Sequence, residues 1–193
     1  MTTILKYNAG NVFSVQNALR QLGEASIVTD DPEQIRSAER VIFPGVGEAS
    51  SAMRYLREKG LDEVIRSLQQ PFLGICLGMQ LMCRHSEEND TACLGVFDTV
   101  VKLFPPKERV PHMGWNSLQA SPTPLLKNLP EDADFYFVHS YYAEPNEDTV
   151  ATCDYIQPFA AIMQRDNFYG TQFHPEKSAT VGRQLLKNFL QIF

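Results

Sequence analysis

The first half of the chain alternates short apolar runs with segments in which apolar residues recur every three or four positions. The short runs predict strands at Thr3–Tyr7, Ala25–Val28, Val41–Phe43 and Phe72–Ile75. The periodic segments predict helices at 12–22, from Pro32, at 49–68 with a break near Gly60, and after Cys76. Strands that alternate with helices in this way favour a parallel sheet with helices on both faces.

The second half of the chain is richer in strand patterns. They fall at Leu94–Phe104, Phe135–Ala143, Thr149–Thr152, Phe159–Arg165 and Tyr169–Phe173. A last amphipathic helix places these residues on one face: Val181, Leu185, Leu186, Phe189, Leu190 and Phe193. We therefore predict a single α/β domain over residues 1–193, with a mostly parallel central sheet and antiparallel strands in its C-terminal half.

Composition narrows the possible environment and partners. The 193 residues include 17 basic and 23 acidic side chains, for a formal net charge of −6, so a general role in binding nucleic acid is not expected. The four cysteines form no C-x-x-C pair, the N-terminus resembles no secretory signal, and no apolar run is long enough to cross a membrane. These features predict a reduced, cytoplasmic protein.

The stretch G-I-C-L-G at 74–78 places a cysteine between glycines two positions away on each side. A nucleophile on a sharp strand-to-helix turn needs small neighbours at these positions, because the backbone passes close on both sides. The start of a helix also favours a thiolate, and the backbone N–H of Leu77 could face an oxyanion formed on the substrate that Cys76 attacks. A buried structural cysteine is an equally good interpretation of these five residues.

Two other stretches could contribute to the same chemistry. F-H-P-E-K at 173–177 follows a predicted strand, and in an extended segment His174 and Glu176 would project to one side as base and orienting carboxylate. Surface residues, or a metal site completed by His112 and His139, are the alternatives, although no two histidines have ligand spacing.

P-G-V-G at 44–47 follows the third predicted strand and could turn a backbone amide into a cavity, unless it is a plain turn. It is too short, and lacks the lysine, for a phosphate-binding loop. This turn and Cys76 fall at the carboxyl ends of predicted parallel strands, and H-P-E follows a late strand, so the three stretches are expected at one edge of the sheet.

Taken together, P-G-V-G, G-I-C-L-G-M-Q and F-H-P-E-K-S resemble the class I, triad-type glutamine amidotransferases, which release ammonia from glutamine. Four further stretches are similar to the members that supply ammonia to a barrel-shaped cyclase in histidine biosynthesis: Y-N-A-G-N-V-F-S-V, P-G-V-G-E-A-S-S-A-M, P-H-M-G-W-N at 111–116 and H-S-Y-Y at 139–142. The likeness covers essentially the whole chain. It implies a heterodimer with that cyclase, glutamine as substrate and no cofactor.

Carried over residue by residue, the resemblance implies Cys76 as nucleophile, His174 as general base and acid, and Glu176 as orienting carboxylate. The amides of Val46 and Leu77 would form the oxyanion hole. Glutamine would be held by Gly47, Gln80, Glu88, Ser140 and Tyr141. The cyclase would be contacted by Asn11, Trp115 and Lys177.

The chain departs from the family pattern in two places. Asn8 and Ala9 stand where a glycine-rich turn is expected, and Glu48 and Ala49 replace a small residue and an aromatic residue. Two rival functions stay open: a thiol hydrolase or glutaminase of another pathway, and a non-catalytic subunit that keeps the fold.

Overall fold

The computed structural model describes residues 1–8 and 10–192, in which strands and helices alternate through the first half of the chain. The strands are, in chain order, β1 (Thr2–Leu5), β2 (Ser26–Thr29), β3 (Arg40–Gly45), β4 (Phe72–Cys76), β5 (Cys83–Ser86), β6 (Thr91–Ala92), β7 (Phe97–Leu103), β8 (His112–Ser117), β9 (Gln119–Ala120), β10 (Asp134–His139), β11 (Tyr141–Ala143), β12 (Thr149–Tyr155), β13 (Gln157–Arg165) and β14 (Phe168–Thr171). The α-helices are α1 (Val12–Gln21), α2 (Pro32–Arg36), α3 (Ala49–Glu58), α4 (Leu61–Ser67), α5 (Leu77–Met82) and α6 (Ala179–Phe189). Two short 3-10 helices span Pro124–Leu126 and Pro175–Lys177.

The central sheet has eight strands in the order β2-β1-β3-β4-β14-β13-β12-β9. Its first five strands run parallel, and the last three continue the sheet with antiparallel pairs. The prediction of a mostly parallel sheet with antiparallel strands from the second half is therefore confirmed.

The helices cover both faces of this sheet. Along β3 the side chains alternate, with Val41 and Phe43 packing in one apolar cluster and Ile42 in the other. Helices α3 and α4 contribute to the first cluster, while α1 and α6 contribute to the second. Burial on both faces is typical of parallel strands and explains why they appear in the sequence as continuous apolar runs.

The predicted break in the long helical segment is confirmed at Gly60. Helix α3 ends at Glu58, and Gly60 adopts a left-handed conformation, with φ of 65°, before α4 begins. In the last helix, Leu185, Leu186 and Phe189 are fully buried, as its periodicity predicts. Phe193, which the periodicity assigns to the same face, lies outside the described residues.

The second half differs from the prediction in detail. The segment 135–143 is two strands, because Ser140 separates β10, which pairs with β8, from β11, which pairs with β7. The segment 94–104 forms a strand only from Phe97 to Leu103. Strands β5, β6, β8 and β9 were not predicted. The two-stranded sheet β10-β8 and the four-stranded sheet β11-β7-β5-β6 lie outside the central sheet.

The topology brings the three chemically suggestive stretches together, as predicted. Strands β3 and β14 flank β4 on its two sides, with Gly45 paired to Cys76 and Thr171 paired to Ile75. Parallel strands end at the same edge of a sheet, so P-G-V-G, the cysteine turn and the segment that follows β14 all lie at that edge.

Candidate active site

Cys76 occupies a strained turn at the end of β4. Its φ of 53° and ψ of −110° are unusual for a residue with a side chain, and it directly precedes α5. A Cβ atom added to Gly78 would lie 1.9 Å from the carbonyl oxygen of Phe43, and one added to Gly74 would lie 2.8 Å from the backbone nitrogen of Met79. The two glycines that flank Cys76 are therefore required by close backbone approach.

Cys76 differs from the other three cysteines in its surroundings. It lines a cavity of about 340 Å³ at the edge of the sheet. Cys83, Cys93 and Cys153 are buried free thiols that do not line it, and burial raises the pKa of Cys93 and of Cys153 to about 12. Cys83 is fully buried and packs in the apolar core.

The His174 and Glu176 side chains form a buried ion pair. Nδ1 of His174 lies 2.8 Å from Oε1 of Glu176, and each side chain is only 1% exposed, which excludes the alternative of two surface residues. The prediction of an extended segment is wrong from Pro175 onward, because residues Pro175–Lys177 form a 3-10 helix. The tight turn, with the Ser178 hydroxyl donating to the His174 carbonyl at 2.7 Å, brings the carboxylate back to the imidazole.

This pairing fixes how the imidazole can act. The carboxylate can only accept, so Nδ1 of His174 carries a proton and donates it. Nε2 is buried and makes no hydrogen bond in the described part of the chain, which leaves it available to exchange a proton with Cys76. Burial lowers the pKa of His174, but interactions with Cys76 and Glu176 outweigh that effect and raise the pKa to about 10. The site therefore favours a charged imidazolium.

The P-G-V-G turn is anchored to the loop that follows β1. The Tyr7 hydroxyl donates to the Pro44 carbonyl at 2.7 Å, and the Gly10 amide donates to the Val46 carbonyl at 3.1 Å. Gly47 has a φ of 127°, which favours glycine. Val46 and Leu77, the two proposed amide donors, both line the cavity. Ala9, the departure from the family pattern in this loop, lies outside the described residues.

All five residues expected to hold glutamine line the same cavity: Gly47, Gln80, Glu88, Ser140 and Tyr141. The Glu88 carboxylate accepts a hydrogen bond from the Ala49 amide at 2.8 Å, and burial raises its pKa. Glu48, the second departure, caps α3 by accepting from the amides of Ser50 and Ser51 at 2.6 and 2.9 Å. It also accepts from the Asn89 side chain at 2.8 Å, beside Glu88.

His112 and His139 bond to each other beside the cavity, which His139 lines. Nδ1 of His139 lies 2.7 Å from the Tyr141 carbonyl, which can only accept, so this nitrogen carries the proton. Nε2 of His139 must then accept from Nδ1 of His112, which lies 3.0 Å away. Burial lowers the pKa of His112 to about 4 and that of His139 to about 3, so both rings are neutral. No group of three potential metal ligands occurs in residues 1–8 and 10–192.

The three residues expected at the partner interface lie around the same edge. Asn11 caps the start of α1, where its side chain accepts from the Ser14 amide at 3.3 Å. Lys177 ends the 3-10 helix that carries Glu176. Trp115 is 52% exposed on β8 and packs edge-to-face on Tyr136, whose carbonyl accepts from the His174 amide at 3.0 Å. These positions fit a surface that borders the candidate triad.

One polar contact of the sulfur was not predicted from the sequence. Nε2 of Gln172 lies 3.6 Å from Sγ of Cys76, and the Gln172 side chain is completely buried. The available signal was a polar residue within the buried run Y-G-T-Q-F that precedes His174.

None of the described helices is long and apolar enough to span a bilayer.

Comparison with known proteins matches one family over nearly the whole chain. The family described as "Glutamine amidotransferase class-I" matches residues 4–192. "Imidazole glycerol phosphate synthase subunit HisH" of Bacteroides fragilis is 54% identical over 192 residues, which cover 98% of each chain. The protein of that name from Pasteurella multocida is 48% identical, covering 98% of this chain and 96% of its own.

Solved structures agree on the fold. A crystal structure of a glutamine amidotransferase has a TM-score of 0.75 at 18% identity, with 98% of this chain and 97% of that chain covered. PurLQS from Thermotoga maritima has a TM-score of 0.73 at 16% identity, covering 98% of this chain and 96% of the other.

Proposed function

Because this chain belongs to the class I glutamine amidotransferases, and within them to the HisH subunits of imidazole glycerol phosphate synthase, we propose that Cys76, His174 and Glu176 form its catalytic triad. The observation that carries this assignment is the buried His174–Glu176 ion pair next to a cysteine held in a strained turn. A nucleophile, a base within reach of it and a third group that orients the base are what nucleophilic catalysis requires.

The reaction proceeds in two steps. The Cys76 thiolate attacks the side-chain amide carbon of glutamine, and His174 donates its Nε2 proton to the departing nitrogen, so that ammonia leaves and a glutamyl thioester remains. His174 then accepts a proton from water, the resulting hydroxide attacks the thioester, and glutamate is released as the thiolate re-forms. Glu176 keeps the Nδ1 proton in place during both steps and stabilises the imidazolium.

The negative charge that develops on the amide oxygen needs donors at the turn. We assign this role to the amides of Leu77, at the start of α5, and of Val46, in the P-G-V-G turn. Both residues line the cavity that contains Cys76. A single donor in such an oxyanion hole is worth about 10²–10³ in kcat.

Glutamine carries an ammonium and a carboxylate at its other end. Glu88 is the anionic group in the cavity wall, and we assign it to the α-ammonium. Both Nε2 protons of Gln80 are used within the protein, on the Tyr141 carbonyl at 2.8 Å and on Oε1 of Gln172 at 2.9 Å. Gln80 can therefore meet the substrate only as an acceptor, while Ser140, Tyr141 and the Gly47 amide are left for the carboxylate.

The ammonia is delivered to the partner cyclase, which is a barrel that forms a heterodimer with this chain and makes imidazole glycerol phosphate and AICAR in histidine biosynthesis. Asn11, Trp115 and Lys177 contact that cyclase. The reaction needs no cofactor, nucleic acid or membrane, and the net charge of −6 does not favour the binding of nucleic acid. All four cysteines, each within the described residues, are free thiols, which supports a cytoplasmic location.

Replacement of the nucleophile tests the triad directly. In a complex with the cyclase, Cys76→Ala should abolish glutamine-dependent synthesis, whereas synthesis from added ammonium salt should continue at the normal rate. Cys153→Ala is the matched control, because it removes a buried thiol that does not line the cavity. Glutamine-dependent activity that survives in Cys76→Ala would exclude Cys76 as the nucleophile. A chain that also loses ammonia-dependent synthesis would indicate a damaged interface instead.

The assignment to a coupled heterodimer has a separate test. Ammonia released without an acceptor is wasted, so the isolated chain should hydrolyse glutamine slowly, and the cyclase with its ligand bound should accelerate the reaction. Glutamate release is measured with the chain alone, with the cyclase, and with the liganded cyclase. A full rate in the isolated chain would instead indicate an independent hydrolase. Stoichiometric labelling of Cys76 by a glutamine-like electrophile would exclude a non-catalytic role.

A further inference from the structure

Gln172 is a buried polar residue that the triad mechanism does not use. It directly follows β14, two residues before His174, and its side chain is inaccessible to solvent. Its Nε2 lies 3.6 Å from Sγ of Cys76. We propose that Gln172 is a positioning residue, which donates a hydrogen bond to the Cys76 sulfur and so holds the sulfur in place and favours its thiolate. This inference rests on the proposed function of Cys76.

The direction of this hydrogen bond follows from a backbone carbonyl. The Tyr141 carbonyl can only accept, so the Gln80 side-chain atom 2.8 Å from it is the amide nitrogen. The same nitrogen lies 2.9 Å from a side-chain atom of Gln172, which must therefore be the oxygen Oε1. The Gln172 nitrogen is then the atom that faces the sulfur. One backbone carbonyl therefore fixes the orientation of both side-chain amides, and the Gln172 N–H is the donor that faces the sulfur.

The same contacts join the two elements that carry the nucleophile and the base. Gln80 belongs to α5, which begins immediately after Cys76, and Gln172 belongs to the segment that leads into His174. The Gln172 backbone is itself fixed, because its amide donates to the Ala161 carbonyl of β13 at 2.9 Å. A donor on so short and well-anchored a segment can restrict the sulfur to the side on which the imidazole lies.

Other groups near the sulfur also affect the balance between the thiol and the thiolate of Cys76. The Val138 carbonyl, 4.0 Å from Sγ, can accept from a thiol but offers nothing to a thiolate. Among titratable groups, His174 lies beside Cys76, and Tyr7 interacts with it electrostatically from the loop after β1. Glu88 and His139 line the same cavity. Among all the groups near the sulfur, the Gln172 donor and the positively charged imidazole favour the Cys76 thiolate, whereas the negative charge of Glu88 opposes it.

Two substitutions separate this role from a purely structural one. Gln172→Glu keeps the shape and an oxygen that can accept from Gln80, but it replaces the donor with a carboxylate oxygen beside the sulfur. Gln172→Met removes both the donor and the acceptor and leaves one Gln80 N–H without its partner. Gln164→Met is the matched control, because it removes a glutamine of β13 whose partner is Thr123, at 2.9 Å.

The measurement is the rate of alkylation of Cys76 by iodoacetamide as a function of pH, followed by mass spectrometry of the Cys76 peptide in the full-length chain. In Gln172→Met the pH midpoint should rise by about one unit, so that alkylation at pH values below both midpoints should slow about 10-fold. In Gln172→Glu the pH midpoint of Cys76 alkylation should rise more than it does in Gln172→Met. With the cyclase present, kcat for glutamine should fall about 10-fold or more in both variants, while Gln164→Met behaves like the wild-type chain.

A structural role predicts a different result in the Met variant, which removes the donor without adding a charge. If Gln172 only fills space and satisfies Gln80, Gln172→Met should lower the free energy of unfolding but leave the pH midpoint of Cys76 alkylation unchanged. An unchanged midpoint in Gln172→Met would overturn the proposal whatever the Glu variant does, because a carboxylate beside the sulfur raises the midpoint by its charge alone. The result is independent of the test of Cys76 itself. An inactive Cys76→Ala together with an unshifted Gln172→Met rejects the positioning role alone, whereas an active Cys76→Ala rejects the triad.

Discussion

Gly78→Ala is expected to inactivate the site by moving the turn that carries the nucleophile. An added Cβ would lie 1.9 Å from the Phe43 carbonyl oxygen, whereas real Cβ contacts essentially never fall below 3.0 Å, so the first turn of α5 must move away from β3 by about 1.1 Å. That shift carries Cys76 and the Leu77 amide with it. A misplacement of about 1 Å can cost about 10²-fold in rate. We expect a loss of this size in kcat, and a loss of about 1–3 kcal/mol in the free energy of unfolding from overpacking.

The assay compares glutamine-dependent and ammonia-dependent synthesis in complexes with the cyclase, together with urea unfolding of the isolated chain. Gly60→Ala is the matched control. Its Cβ would meet no atom within 4 Å, but its φ of 65° makes alanine unfavourable by about 1–2 kcal/mol. Both variants should lose stability, and only Gly78→Ala should lose glutamine-dependent activity. A folded Gly78→Ala chain with normal kcat would refute the argument that close backbone packing positions the nucleophile.

Three further predictions concern the ion pair, the buried histidines and the interface. Glu176→Gln should lower glutamine-dependent kcat by about 10²–10⁴-fold, because the histidine loses its orienting charge; normal kcat would contradict this. The free energy of unfolding should fall as the pH drops from about 6.5 to 4, because in that range the unfolded chain binds protons at His112 and His139 and the folded chain does not. In urea titrations at several pH values, His112→Asn should reduce this pH dependence. An unchanged pH dependence would indicate that carboxylates alone cause it. Trp115→Ala should weaken binding of the cyclase by about 30-fold in calorimetry, whereas Leu103→Ala, similarly exposed, should not; equal losses would argue against a specific contact.

Local patterns in the sequence predicted much of the fold. Strands β1, β3 and β4 could be recognised because both of their faces are buried, and Gly60 marked the break between α3 and α4. Strand β8 was missed although His112 is buried and Trp115 is exposed. Its partner β10 is distant in the sequence, and the stretch 111–116 was interpreted as a motif rather than as a strand.

The parts of the candidate site that lie within short stretches of sequence could be predicted, whereas the contacts between distant parts of the chain could not. Cys76 and the pair His174–Glu176 lie in short stretches whose residue types and spacing suggest their roles. The contacts of Gln172 join it to residues 92 and 96 positions away, and no spacing rule connects them. The turn at Pro175–Lys177 was mistaken for an extended segment, because a two-residue spacing fits an extended strand as well as a tight turn.

The Tyr141 carbonyl has a consequence for which mirror image of the substrate the cavity accepts. This oxygen already receives hydrogen bonds from His139 at 2.7 Å and from Gln80 at 2.8 Å, so both of its lone pairs are occupied and it cannot attract an ammonium group. In the binding mode proposed above, the charge on Glu88 marks one wall of the cavity as the place for the ammonium. With the reacting amide held at Cys76, the amine and carboxylate of D-glutamine would exchange walls. In that binding mode, the Tyr141 carbonyl, which is already satisfied within the protein, contributes to the selection of one enantiomer.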